Sequence, residues 1–180
     1  MNESEAVSRN IKNNINNRSA QRILSKREPD RKRCGVIFRT QAAKKDQRKH
    51  LIVKEIGPPG YWGFPKGSQE QLNRHQVETQ HAEPIWETLQ ETAIRELKEE
   101  TGIVLSKEQL DQAPMITVCP KPSSRKRQYN YFIVDVEHEF ACQIDPLEIS
   151  DYQWSSLQEL KQLATSSFTK QAINKLYSMA

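Results

Sequence analysis

The chain is best interpreted outward from one stretch, Arg95-Glu96-Leu97-Lys98-Glu99-Glu100-Thr101-Gly102. It places three carboxylates at spacings of three and four residues, and on an α-helix those offsets share one face. Three like charges that close repel one another, and a bound divalent cation would offset the repulsion. Hard carboxylate oxygens of this kind suit Mg²⁺ or Mn²⁺. The stretch therefore indicates a metal site, the alternative being a solvated acidic helix face.

A helix around these carboxylates is predicted over about residues 88–101. Its start has the pattern of a capping box, Thr88-Leu89-Gln90-Glu91, and Gly102 is a favourable residue just past its end. An apolar stripe offset from the carboxylates predicts that one side of the helix packs on a core. The stripe consists of Ala93, Ile94, Leu97 and Thr101.

The residues before the helix turn this pattern into a family resemblance. The pattern Glu-x7-Arg-Glu-Leu-x-Glu-Glu-x-Gly-Ile, from Glu87 to Ile103, resembles the signature of the Nudix hydrolase family, and residues 62–67 are similar to the segment that leads into it. The resemblance is strong over residues 61–103 and extends over roughly 34–163. It implies an α/β fold, the Nudix-type α/β/α sandwich with a mixed β-sheet. It also implies a pyrophosphohydrolase that cleaves a phosphoanhydride bond.

The resemblance implies a set of metal ligands, carried over by position. Glu96, Glu99 and Glu100 would hold Mg²⁺ or Mn²⁺, and Glu99 or Glu96 would also orient or deprotonate the attacking water. The carbonyl of Gly67 would add to the coordination. Some members of the family use one further carboxylate from a later loop, and here we expect Glu148, with Asp151 and Glu137 as rivals. A surface acid near a strand is the alternative interpretation of Glu148.

The resemblance also implies supporting and substrate-binding residues. Arg95 and Glu87 would form an ion pair that orients the ligands. Lys66 is expected to meet a phosphate group of the substrate. A run of basic residues before Tyr129 is either a solvated hairpin tip or a binding site for extra phosphates. This run contains Lys121, Arg125, Lys126 and Arg127. Tyr129, Tyr131, Phe132 and Tyr152 are expected either to stack a base or to pack in the core.

One position departs from the family pattern. The family places a glycine six residues before its first glutamate, where this chain has His81, and the suitable glycine is Gly67. Nineteen residues separate Gly67 from Glu87, so residues 68–86 carry an insertion of fourteen. Such an insertion costs little closure entropy. We interpret it either as a lid or specificity element or as a solvated surface loop, with His75 and His81 solvated rather than bound to metal.

Charge divides the chain into a basic arm and a domain. Residues 1–33 hold nine Lys and Arg against four Asp and Glu, whereas the remaining 147 residues hold eighteen against nineteen. We therefore predict a flexible arm over 1–33 and a Nudix-type domain over 34–180. A basic arm suits RNA, although a solubilising tail or targeting segment is equally consistent with it.

Composition narrows the class of protein further. A chain of 180 residues suits one domain with a real core. It contains no apolar run long enough for a membrane span and no apolar leader. Its three cysteines, Cys34, Cys119 and Cys142, lack metal-type spacing. These features predict an intracellular, cytoplasmic protein with reduced cysteines.

The remaining elements follow from alternation and turn signals. The predicted strands are 34–40, 50–56, 61–64, 115–119, 129–137 and 152–154. Besides the acidic helix, helices are expected over about 157–163, opened by a capping box at Ser156, and over 168–178, with Ile173 and Leu176 facing inward.

Several functions remain open at this point. The favoured substrates are dinucleoside polyphosphates or diphosphoinositol polyphosphates, because of the basic run and the segment from Glu148 to Trp154. Removal of a cap or of pyrophosphate from RNA 5′ ends is the alternative, motivated by the arm. A Nudix-fold module that binds a ligand without turnover is the alternative of another class.

Overall fold

The computed structural model describes residues 32–42, 44–80, 82–119 and 128–179, without the side chains of Lys45 and Gln80. The predictions for residues 1–31, for His81 and for the basic run at 121–127 lie outside the described residues. The strands are β1 (Arg33–Thr40), β2 (Lys49–Glu55), β3 (Trp62–Gly63), β4 (Lys66–Ser68), β5 (Met115–Val118), β6 (Tyr129–Val136) and β7 (Ile149–Ser156). The helices are α1 (Arg74–Gln80), α2 (Leu89–Thr101), α3 (Lys107–Asp111), α4 (Leu157–Gln162) and α5 (Ser167–Ser178).

The seven strands of the described residues form one mixed sheet. Its main path runs β3-β2-β1-β6-β5, while β4 pairs with β1 and β7 pairs with β2. Strand β1 is parallel to β6, and the other pairings are antiparallel. A parallel pair needs a crossover connection, and α2 lies within the chain that links β1 to β6.

Helices cover both faces of the sheet, and β1 is therefore buried on both sides. Its residues alternate between two core clusters, with Ile37 in one and Val36 and Phe38 in the other. The first cluster packs on α4 and α5 through Leu160, Ala172, Ile173 and Leu176. The second packs on α2 and α3 through Ala93, Leu97 and Leu110. The predicted α/β/α sandwich is confirmed.

Gly35 allows the segment before β4 to lie directly against β1. A Cβ on Gly35 would lie 2.1 Å from the carbonyl oxygen of Pro65. The N–H of Val36 donates to that same oxygen at 3.1 Å. The absence of a side chain at residue 35 thus fixes where Lys66 and Gly67 are held.

Some predicted elements differ from the structure. The last strand was predicted as Tyr152–Trp154, which is too short, since β7 pairs along the whole of β2. Residues 66–68 form β4, which was not predicted. Helices α1 and α3 were not predicted, although Ser106 and Gln109 form a capping box that signals α3.

The ends of the domain can be described at the residue level. Arg33 lies in β1, opposite Ser68 and Tyr129. The N–H of Lys32 donates to the Gln69 side chain at 3.1 Å. The division into an arm and a domain after residue 33 stays a prediction.

No helix of the described residues is both long and apolar enough to cross a membrane. The three cysteines are free, and burial raises the pKa of the Cys34 thiol to about 12.

Candidate active site

Helix α2 carries the acidic cluster between two well-formed ends. The Thr88 hydroxyl accepts from the N–H of Glu91 at 3.2 Å, and the Glu91 carboxylate accepts from the N–H of Thr88 at 2.8 Å. Gly102 ends the helix with a φ of 72°, a left-handed conformation that glycine adopts without strain. The predicted capping box and glycine stop are thus present, and they fix the register of the three glutamates.

Arg95 lies at the centre of the cluster and donates to three carboxylates. It makes two bonds to Glu87, at 2.8 and 2.9 Å. Its Nη1 donates to Glu96 and to Glu99, each at 2.9 Å. Its Nη2 also donates to the carbonyl of Ser68 at 2.9 Å. The guanidinium therefore joins α2, β4 and Glu87, which lies two residues before the helix. Hydrogen bonds with Glu87 raise the pKa of Arg95.

Glu87 is held in its charged form by its surroundings. Burial alone would raise its pKa, but hydrogen bonds from Arg95, from the N–H of Glu70 and from the Thr92 hydroxyl lower it below its ordinary value. Its backbone is held too, because its N–H donates to the carbonyl of Glu70 at 3.0 Å and its carbonyl accepts from Gln69 at 2.6 Å.

Glu96 rests against the bare backbone of Gly67. A Cβ on Gly67 would lie 1.8 Å from the carboxyl carbon of Glu96, so a side chain there would displace the Glu96 carboxylate. Burial raises the pKa of Glu96, the adjacent Arg95 lowers it, and the charges of Glu99 and Glu148 raise it further.

Glu100 is the most buried acid of the motif, with 5% of its surface exposed. Its Oε2 accepts from the backbone N–H of Lys66 at 2.9 Å. Burial raises the pKa of Glu100 to about 8, although the positive charge of Lys66 and the hydrogen bond from its N–H act to lower it. The Lys66 side chain, itself buried, forms an ion pair with Glu55. Glu55, at the end of β2, was not among the predicted site residues.

The other predicted acids are exposed. Glu99 has 49% of its side chain exposed. Glu148 precedes β7, and its carbonyl accepts from the N–H of Ile56 at 2.9 Å. Its rival Asp151 accepts from the N–H of Tyr152 at 2.8 Å, and its rival Glu137 follows β6.

The chemistry of these residues fits a hard divalent cation. Glu96 and Glu100 supply carboxylate oxygens whose charged forms are disfavoured by burial, so a cation would stabilise them. Gly67 leaves room for the Glu96 carboxylate. As the described side chains lie, however, no three acids, histidines or cysteines converge on one point. Arg95 Nη1 instead donates to both Glu96 and Glu99, so a cation would compete with it there.

A cavity of about 500 Å³ is lined in part by Lys66, whose backbone N–H donates to Glu100. It lies between the sheet and the start of α5. Of the predicted substrate-binding residues, Lys66 and Tyr129 line it, together with Arg33, Glu55, Tyr61, residues 165–168 and Lys170. These additional residues were missed because they come from five separate elements or connections of the chain.

The aromatic residues divide between packing and exposure. Tyr129 is 7% exposed, and its ring packs against Phe168 with the ring centroids 3.9 Å apart. Tyr131 and Phe132 are buried in the core. These three rings are explained by packing rather than by base stacking, whereas Tyr61 is 40% exposed beside the cavity.

A family model places this site among known proteins. The model of the NUDIX domain matches residues 31–176. The chain belongs to the Nudix family. As a Nudix hydrolase it acts on phosphoanhydride bonds, and hydrolases of this family use divalent metals. No sequence among the curated proteins matches the chain.

Solved structures support the Nudix fold. A diadenosine tetraphosphate (Ap4A) hydrolase from C. elegans, in a binary complex, is 21% identical, with a TM-score of 0.55 over 83% of this chain and 96% of that one. The NUDIX domain of Shewanella oneidensis NrtR, bound to ADP ribose, is 21% identical, with a TM-score of 0.56 over 82% and 86%. The E. coli dihydroneopterin triphosphate pyrophosphohydrolase is 21% identical, with a TM-score of 0.55 over 83% and 96%. At these identities the likeness concerns the fold.

Proposed function

We propose that this Nudix protein is a divalent-metal-dependent pyrophosphohydrolase of a polyphosphorylated small molecule, either a dinucleoside polyphosphate or a diphosphoinositol polyphosphate. One observation carries the proposal. Lys66 joins the two halves of the site, because its N–H binds Glu100 while its side chain lines the cavity. In the proposal, a phosphate chain bound in the cavity extends past Lys66 to the carboxylates of α2.

In this proposal Glu96, Glu99 and Glu100 hold the metal, with Mg²⁺ or Mn²⁺ as candidates, and the Gly67 carbonyl and Glu148 contribute further oxygens. When bound, the metal would neutralise phosphate charge and make a water more acidic. Arg95, fixed by Glu87, keeps the helix face aligned with β4. Glu99 is the exposed acid of the three, which suits contact with a water or a metal at the surface of the cluster.

Substrate binding is assigned to the cations beside the acids. Lys66 is held by Glu55, and a phosphate oxygen would compete with that carboxylate for its ammonium group. The basic residues of the run at 121–127 remain proposed phosphate ligands. The likeness to a diadenosine tetraphosphate hydrolase agrees with the substrate class without deciding it.

The test compares phosphate release by wild type, Glu99→Gln and Glu108→Gln in Mg²⁺ and in Mn²⁺. Glu108 is an exposed acid in α3 and serves as the matched control. We expect Glu99→Gln to lose activity on the order of a hundredfold or more, and the control to retain it. Equal activity in wild type and Glu99→Gln would refute the assignment.

The substrate is identified by a screen of the wild-type protein. It includes diadenosine polyphosphates, diphosphoinositol polyphosphates, capped RNA and ADP-ribose, with kcat/KM as the measure. The highest value is expected for one of the first two. A higher value for capped RNA would favour the RNA alternative.

A further inference from the structure

The wall of the cavity opposite the sheet is the N-terminus of α5. Ser166 is its N-cap residue, and its hydroxyl accepts from the N–H of Thr169 at 3.2 Å. The other N–H groups of the first turn have no acceptor within a helix, and the helix dipole adds partial positive charge there. With twelve residues, α5 is long enough for this effect. Residues 165–168 line the cavity, so the start of α5 forms part of its wall.

Thr165 supplies an independent indication of a ligand. Thr165 is 6% exposed and lines the cavity. Its Oγ1 has no hydrogen-bond partner among the described residues. Its backbone is fixed by a bridge to Trp62. A buried hydroxyl without a partner is costly, so such groups usually have a ligand or a water. The Oγ1 atom is closed off from solvent, so the side chain would rotate to donate to an oxyanion placed in the cavity.

The cations around this wall are in excess. Arg33, Lys66 and Lys170 line the cavity against one acid, Glu55, which is paired with Lys66. Neither Arg33 nor Lys170 forms an ion pair with a carboxylate of the described residues. Arg33 is held in place, because its Nη1 donates to the Tyr129 hydroxyl at 3.0 Å. The positive charges of Arg33 and Lys170 are thus not balanced by an ion pair among the described residues.

The same wall offers little surface for a base. The Tyr129 ring packs against Phe168, and the Arg33 guanidinium lies 5.4 Å from its centroid. A base would have to displace one of these groups to stack on Tyr129. Hydrogen-bond donors and positive charge therefore dominate this end of the cavity.

We infer that the N-terminus of α5, with Thr165, Lys170 and Arg33, forms a subsite for a phosphate group of the substrate that is remote from the bond being cleaved. The inference rests on the proposed function, which places the cleaved bond at the acids of α2. It requires that the substrate carry at least one phosphate beyond the reacting pyrophosphate. ADP-ribose, which has only its pyrophosphate, lacks the group that this subsite would bind.

The direct test measures binding of inorganic tripolyphosphate by calorimetry in the absence of metal. The proteins are wild type, Lys170→Gln, Thr165→Val and, as control, Lys107→Gln on the exposed face of α3. We expect Lys170→Gln to weaken binding by about tenfold and Thr165→Val by a few-fold, since each loses one bond to the anion. Unchanged affinity in both variants, or no binding to wild type, would overturn the subsite.

Kinetic measurements distinguish a failure of the subsite from a failure of the proposed function. For Lys170→Gln we expect a higher KM for diadenosine tetraphosphate, by about tenfold, and an unchanged KM for ADP-ribose. An equal rise for both substrates would overturn the remote position of the subsite. If no anhydride is hydrolysed while tripolyphosphate binding still depends on Lys170, the proposed function fails and the subsite stands. If Glu99→Gln abolishes hydrolysis while Lys170→Gln changes neither binding nor KM, the subsite alone fails.

Discussion

Arg95 and Glu87 are joined by two nearly parallel hydrogen bonds, from Nε to Oε1 at 2.8 Å and from Nη2 to Oε2 at 2.9 Å. The pair spans the start of α2, and Glu87 is 8% exposed at its side chain. The third nitrogen of Arg95 donates to Glu96 and Glu99. The ion pair therefore holds the Arg95 guanidinium where it neutralises Glu96 and Glu99 when no metal is bound.

The first prediction concerns this pair. Glu87→Gln removes the charge that fixes Arg95, so we expect metal affinity or kcat to fall by about ten- to a hundredfold. The measurement is phosphate release against metal concentration. Glu70→Gln is the control, because only the backbone of Glu70 binds Glu87. A Glu87→Gln protein with the metal dependence of wild type would contradict the role of the pair.

A side chain at residue 67 should displace the carboxylate of Glu96. In Gly67→Ala the new Cβ would overlap the carboxyl group of Glu96, which must then move. We expect kcat to fall by about a hundredfold, since displacement of a catalytic group by an ångström has this effect. Ser68→Ala is the control, because Arg95 binds only the carbonyl of Ser68. Full activity of Gly67→Ala would show that the position of Glu96 is not critical.

The base of the insertion is attached to the site. Gln69 and Glu70 bind the backbone of Glu87, and the N–H of Leu72 donates to the carbonyl of Ile85 at 2.8 Å. Replacing residues 73–84 by Asn-Gly should preserve these bonds, because a two-residue turn can join paired strands. We expect kcat for the best substrate to stay within about threefold of wild type, since closing a shorter loop costs little.

A second variant tests the base of the insertion separately. Gln69→Leu loses the bond to the carbonyl of Glu87 and the bond from the N–H of Lys32. We expect its kcat to fall further than that of the shortened protein. A shortened protein that folds but has lost activity would instead indicate that the tip contacts the substrate.

His50 should make stability depend on pH. It is 2% exposed, and burial lowers its pKa from 6.5 to about 4, with Arg39 and Arg48 contributing and Ser155 and Asp135 opposing. The unfolded state therefore binds a proton that the folded state does not, and stability is lost as the pH falls below about 6.5.

The expected size of this loss is about 2 kcal/mol between about pH 7 and pH 5. It is measured as the free energy of unfolding in urea, for wild type and for His50→Gln. The variant lacks the titrating group, so its stability should fall less over the same interval. Parallel pH profiles for the two proteins would rule out His50 as the source.

The acidic helix was predictable because its signals are local. The offsets of the glutamates, the capping box and Gly102 all lie within fifteen residues, and the helix begins and ends within one residue of its predicted bounds. The terminal helix was predicted equally well, with Ile173 and Leu176 buried as expected. Such elements depend on periodicity and end residues, which a single sequence contains.

Strand β7 was predicted too short because the signals that form it are not local. Ser150, Asp151, Gln153 and Ser155 are polar, so the segment lacks the apolar alternation that signals a strand. The strand exists because seven residues of β2 provide hydrogen-bonding partners for it. The same holds for β4, whose three residues pair with β1.

The sequence by itself determined the family and the residues proposed to carry the reaction, because the motif from Glu87 to Ile103 is continuous in the chain. Only the tertiary structure decided what surrounds them. Burial at the sheet raised the pKa of Glu100, and Gly67 met Glu96 because β4 pairs with β1. The cavity joins Arg33, Lys66 and Lys170, which are distant in sequence. Long-range strand pairing and helix packing bring such residues together, and no local pattern contains that information.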